Sequence, residues 1–221
     1  MSFDRIAPHY RLIETLAFGN TLQRARTLWI RKIPRPKRAL ILGEGNGRFL
    51  CELLRAHPKI DVDCIDASRE MLRIARRRVE RKCPESLPHV RFLRRDVLRW
   101  SPQASYNLLI THFFLDCFQS DQLEEIIAKL SGAASAGAVW LLADFTLPTD
   151  PFARWHALTW LCAMYTFFRA VTGITANRIV DPTSFLAANR FVRTKEKSFR
   201  WRMIKSEAYV AQAWSASACK A

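Results

Sequence analysis

The chain reads as one α/β domain, a mostly parallel sheet with helices on both faces. Three observations predict this. Short apolar runs of strand length alternate with segments of helical spacing from residue 38 to residue 143. A glycine-rich turn, Gly43-Glu44-Gly45-Asn46-Gly47, joins the first run to the first helical segment. The 221 residues, 49% of them hydrophobic and 25% charged, are enough for one sizeable core without staples.

The elements follow in order. Residues 9–31 carry Leu12, Leu16, Leu22, Ala25 and Leu28 at mostly helical spacing, interrupted near Gly19-Asn20. Ile33-Pro34-Arg35-Pro36-Lys37 ends that segment, because proline cannot continue a helix. Residues 38–42 form a buried strand and 48–57 a helix. A second strand covers 62–65. The helix over 68–82 has Ser68 as N-cap and Met71, Leu72, Ala75 and Val79 on one face. Strands over 90–93, 106–110 and 138–143 come next, with a helix over 121–131 capped by Ser120. Beyond them lie an aromatic helix over 152–171 and a short helix opened by Asp181-Pro182-Thr183. A closing hairpin of 191–195 and 199–206 makes the last pair antiparallel.

Composition narrows the setting. None of Cys51, Cys64, Cys83, Cys117, Cys162 and Cys219 forms a Cys-x-x-Cys pair, and no histidine cluster supports a metal site. They read as reduced core thiols, which predicts a cytoplasmic protein. The N-terminal residues show no signal-peptide pattern, and the apolar stretch 155–168 is too short to span a bilayer. The net charge of +15 is spread along the chain without a basic tail. It reads as a solvated basic surface, with an anionic membrane surface as a further partner.

The glycine loop carries the chemistry. A Gly-Lys-Ser/Thr phosphate cradle is missing, and Arg48 stands where a dinucleotide fingerprint needs its third glycine. Asp66 ends the second strand about 20 residues later, where an acid accepts from ribose hydroxyls. Arg95-Asp96-Val97 follows the third strand, with Asp96 placed to accept from an adenine amino group.

With these residues the chain resembles class I S-adenosylmethionine-dependent methyltransferases over nearly its whole length. The resemblance implies a Rossmann-like seven-stranded sheet of order 3-2-1-4-5-7-6 with strand 7 antiparallel, and S-adenosylmethionine as cofactor. It implies that Gly43, Gly45 and Gly47 line the methionine moiety, that Asp66 holds the ribose and that Asp96 contacts adenine. Tyr10, Asn46, Ala67, Met71, Val97 and His112 complete the expected cofactor-binding set. Ile41 stands where many members carry an aspartate, and Glu44 is expected to face the cofactor's ammonium group instead.

The acceptor is read from what surrounds this core. The Asn/Asp-Pro-Pro-Tyr/Phe tetrapeptide of amino-methylating nucleic-acid enzymes is absent after strand four, where Thr111-His112-Phe113-Phe114-Leu115-Asp116 stands, so nucleic acid ranks below a small molecule. The start, Phe3 to Tyr10 with Phe18-Gly19, and the stretch from Asp144-Phe145 to Thr172-Gly173-Ile174 resemble the ubiquinone/menaquinone-biosynthesis C-methyltransferases. That resemblance implies a lid over residues 1–36 containing Tyr10, a cofactor-binding core over 37–144 and acceptor-side helices with a closing hairpin over 145–221. A small, apolar or aromatic acceptor is expected. His112, at the end of strand four, is the first candidate for a general base, ahead of Asp116, His156 and Tyr165. Two other readings stand beside this one. One is an RNA or protein methyltransferase that uses the basic surface, and the other is a non-catalytic S-adenosylmethionine-binding protein.

Overall fold

The structure is a computed structural model and describes residues 18–148, 150–151, 154–155, 158–159 and 180–212. Tyr10, His156, Tyr165, Cys162, Cys219 and most of the expected aromatic helix over 152–171 lie outside them. The described chain runs α1 (Thr21–Thr27), β1 (Arg38–Leu42), α2 (Arg48–Ala56), β2 (Asp61–Asp66), α3 (Arg69–Lys82), β3 (Val90–Arg94) and β4 (Tyr106–His112). It continues through α4 (Ser120–Gly132), β5 (Ala134–Phe145), α5 (Thr183–Ala188), β6 (Phe191–Phe199) and β7 (Ile204–Ala211).

The seven strands form one sheet of order β3-β2-β1-β4-β5-β7-β6. The first five are mutually parallel, and β7 runs antiparallel to both β5 and β6. This is the expected Rossmann-like architecture. Alternation along each strand divides the apolar residues between two cores. Ile41, Cys64, Ile110 and Leu141 meet Phe49, Leu50 and Leu53 of α2 and Val79 of α3. Leu40, Leu109, Trp140 and Leu142 meet Leu123, Ile126 and Ile127 of α4 and Leu186 of α5. Both faces are covered, which is why the central strands read as continuous apolar runs.

One buried charge ties the strands together. Asp63 on β2 receives two bonds from Arg91 of β3, at 2.5 and 2.6 Å, and one from the Tyr106 hydroxyl of β4 at 2.7 Å. Burial pushes its carboxyl up, but these donors outweigh burial and hold it below the usual carboxylate range.

Three boundaries differ from the sequence expectation. The expected cap Ser120 is the first residue of α4, and Gln119 forms the capping box with Gln122. β5 begins at Ala134, four residues early. The hairpin strands run to Phe199 and from Ile204, which places the turn at 200–203. There Arg200, Trp201 and Arg202 all have positive φ, a conformation that no turn-forming residue announces.

Candidate active site

β1 lies between β2 and β4, so the loops leaving β1 and β4 diverge at its carboxyl end and open a crevice there. Ser68 accepts from the Met71 N–H at 3.1 Å, as expected for the N-cap of α3, and Asp66 Oδ1 accepts from Ser68 N at 2.8 Å. Asp66 Oδ2 faces the Gly45 N–H at 3.4 Å. The acid at the tip of β2 is thereby brought against the glycine loop, 21 residues away.

The loop's glycines do different work. Gly47 has φ +79°, and a Cβ there would lie 2.7 Å from the Ala75 Cα, so this glycine lets α2 and α3 approach. Gly45 has φ +68° and nothing within 4 Å of its Cβ position, so its bare backbone faces open space where a ligand can approach. Asn46 is buried, its carbonyl accepts from Arg78 Nε at 2.7 Å, and its side-chain Nδ2 has no acceptor. A buried donor without a partner, beside an open backbone cradle, fits the carboxylate of an amino-acid moiety.

Beside this loop is a cavity of about 570 Å³ lined by Ile65, Asp66, Ala67, Asp96, Val97 and Phe114, among others. It has the form an adenosine needs, with apolar walls and a few carboxylates at the edge. Asp96 Oδ1 also accepts from Leu98 N at 3.1 Å, which fixes the turn after β3. Of the expected cofactor residues, Asp66, Ala67, Asp96 and Val97 thus share one wall, with Gly45 and Asn46 beside them. Met71 is buried in the first turn of α3 and does not line this cavity. Phe114, Phe118 and Gln122 also line it and were not anticipated. The Phe114 ring leaves no room for a side chain at Gly43. Only the aromatic pair Phe113-Phe114 hinted at such a wall.

Glu44 has a structural partner beside its expected role: its Oε1 accepts the Leu50 N–H of α2 at 2.9 Å, and the side chain lines a small cavity with Arg26 and His112. Burial pushes its pKa up to about 7, against the lowering effect of that bond and of Arg26. An acid already occupies the amino end of α2, which disfavours a pyrophosphate there.

His112 is also under the loop. It is 7% exposed, meets the Phe49 ring edge-on at 4.6 Å between centroids, and its Nδ1 has no hydrogen-bond partner. Together with Arg26, Gly43, Glu44 and Phe49 it lines a cavity of about 10 Å³, room for about one water molecule. Burial, with Arg26 adding to it, holds His112 well below its usual range, so the imidazole is neutral at pH 7. His112 thus lines this small cavity beneath the glycine loop.

Asp116, the second-ranked candidate, lies in the short turn after β4 and is buried against Asp144 of β5. Burial and then the Asp116 carboxyl push Asp144 well above the usual carboxylate range. On the opposite side of the β4 and β5 ends is an aromatic cluster. Phe145 meets Phe18 at 5.4 Å and Phe113 at 5.1 Å, with Arg26 over the Phe113 ring.

Residues 39–137 match the family model of a methyltransferase domain. Solved structures agree with the fold. An O-methyltransferase family protein from Burkholderia thailandensis superposes with a TM-score of 0.66 at 16% identity, over 96% of this chain and 63% of its own. The N-methyltransferase NodS from Bradyrhizobium japonicum, in complex with S-adenosyl-L-homocysteine, gives 0.60 at 12%, over 87% of this chain and 84% of its own. Magnesium protoporphyrin IX methyltransferase from Synechocystis, with bound SAH, gives 0.64 at 17%, over 89% of this chain and 84% of its own. The chain therefore spans less than two thirds of the Burkholderia protein's length.

The matched segment contains the glycine loop, Asp66 and Asp96. That segment is similar to a methyltransferase domain, and the neighbouring structures, two of them with bound S-adenosyl-L-homocysteine, share the fold of this chain.

Proposed function

We propose that this chain transfers a methyl group from S-adenosylmethionine to a small, apolar or aromatic acceptor. The observation that carries the acceptor class is the aromatic cluster of Phe18, Phe113 and Phe145 at the carboxyl ends of β4 and β5. Phe18 and Phe145 are buried and Phe113 is half-buried, and an apolar aromatic wall beside a cofactor crevice favours a flat apolar substrate. The resemblance of the sequence to quinone-biosynthesis C-methyltransferases points to the same chemistry.

The cofactor supplies an electrophilic methyl group. The protein's task is to align the acceptor with it and exclude water. Asp66 would hold the ribose hydroxyls, Val97 and Phe114 would enclose the base, and Asn46 Nδ2 would bind the methionine carboxylate. His112 shapes the underside of the glycine loop. A lid role is proposed for the segment up to residue 36. Its described part, α1, is fastened to β7 by the Ser206 hydroxyl, which donates to the Ala25 carbonyl at 2.7 Å.

Calorimetry with S-adenosyl-L-homocysteine, and with NAD as control, tests the cofactor. Transfer of labelled methyl to phenols, quinols and bulk RNA tests the acceptor. Methylation of ring compounds and not RNA supports the proposal, and labelling of RNA alone would overturn it in favour of the basic surface. No helix among the described residues is long and apolar enough to cross a membrane.

A further inference from the structure

Methyl transfer does not use the groove on the outer side of α1, α2 and α3, yet charge is concentrated there. A cavity of about 380 Å³ is lined by Gln23 and Thr27 from α1, by Arg48, Cys51, Glu52 and Arg55 from α2, and by Arg78 and Lys82 from α3. Positions 48, 52 and 55 form one stripe of α2, and 78 and 82 form one stripe of α3. Four cations face one carboxylate across this space. Glu52 is already paired with Arg55 at 2.6 Å, while Arg48 and Lys82 have no ion-pair partner among the described residues.

Like charges gathered around a concave space repel one another, and a bound anion relieves that repulsion. Three of the four cations are arginines, whose planar fork of donors matches phosphate oxygens two at a time. Gln23 adds a buried Oε1 without a donor, so its amide gains by turning to a ligand that brings a hydroxyl. The cavity is larger than a bare phosphate needs and is built by three different helices.

We propose that this groove is a binding site for the phosphate group of a phosphorylated small molecule, separate from the cofactor crevice. Its position gives the site a way to act on the crevice. Arg78 lines the groove and also holds the Asn46 carbonyl of the glycine loop, and Arg48 directly follows Gly47.

The test is calorimetric titration of the full chain with inorganic pyrophosphate at low ionic strength. It compares wild type with R55Q/K82Q, whose positions line the groove at its exposed rim. The charge-matched control is R77Q/R81Q, on exposed positions of α3 outside the groove. Saturable binding, weakened by about tenfold or more in R55Q/K82Q and by less than about twofold in the control, supports the site. Absence of binding, or equal losses in both variants, would overturn it and assign the charge to a diffuse surface. An oligonucleotide without terminal phosphates is the second arm. If it binds more tightly than pyrophosphate and is lost only in R55Q/K82Q, the phosphates recognised are those of a nucleic acid and the small-molecule source is wrong. If it binds weakly and loses equally in both variants, the small-molecule source stands.

Discussion

The carboxylate of Glu44 accepts the backbone N–H of Leu50 at 2.9 Å, so a residue of the cofactor loop caps the helix that follows it. The cap reaches back from three residues before Gly47, where a serine or aspartate would ordinarily be placed. Glu44→Gln keeps an acceptor and removes a half-buried charge, and it should leave S-adenosyl-L-homocysteine affinity within about threefold by calorimetry. Because Glu44's folded pKa is raised to about 7, its ionisation costs stability increasingly as pH rises from its unfolded pKa, about 4.3, toward 7. Melting curves of Glu44→Gln against wild type should therefore shift in the variant's favour between pH 5 and pH 8. A tenfold loss of affinity would return Glu44 to the cofactor's ammonium group.

Gly45 and Gly47 separate binding from folding. Gly47→Ala meets the α3 backbone and should destabilise the fold by about 2–3 kcal/mol in urea titrations. Gly45→Ala has room for its methyl and should lose only about 1 kcal/mol to its positive φ, while weakening cofactor binding at least tenfold. Equal effects on both measurements would mean that the open space at Gly45 is not the cradle.

Asp66→Ala should reduce S-adenosyl-L-homocysteine affinity by one to two orders of magnitude, about 1.4–2.8 kcal/mol, since each buried ribose hydroxyl would lose a charged acceptor. Far-ultraviolet dichroism should be unchanged, because Ser68 still caps α3 through Met71. Retained affinity in a folded variant would remove Asp66 from the site.

Asp144→Asn should raise the melting temperature at pH 7. Asp116 and Glu207, both acidic, act on Asp144, whose cross-strand partner on β7 is Lys205, and the raised pKa means the wild type loses stability as pH climbs above about 3.9. The gain should be small at pH 4 and larger at pH 7. A variant less stable at pH 7 than at pH 4, each relative to wild type, would show that Asp144 is ionised in the folded chain.

Much of this was legible in the amino-acid order, for physical reasons. The central strands β1 and β4 are buried on both faces, so they carry the apolar runs Ala39 to Leu42 and Leu108 to Ile110. Ser68 announces α3 because its hydroxyl satisfies an N–H that the helix itself cannot. What sequence could not show depends on distant contacts. Phe114 and Phe118 reach the adenosine-sized cavity only because the turn after β4 folds back over Gly43. His112 is legible as a strand-end residue, but that its ring meets Phe49 of α2 is a contact between distant residues. The first residues of β5, Ala134 to Gly137, have little strand propensity, and of them Ala134 pairs with Tyr106 of β4 ahead of an irregularity that ends at Val139.

The strand order has a consequence for how the protein is made. β7 is the last of the seven along the chain, yet it lies between β5 and β6. Until residue 211 has left the ribosome, β5 presents the open hydrogen-bonding edge that includes Trp140 and Leu142, and β6 has no neighbour in the sheet. A nascent chain at that stage is a five-stranded platform with a sticky side, the form most prone to pairing with another copy of itself. Slow translation of the last hairpin would lengthen that exposure, and chaperone occupancy during synthesis should peak as residues 146–203 emerge.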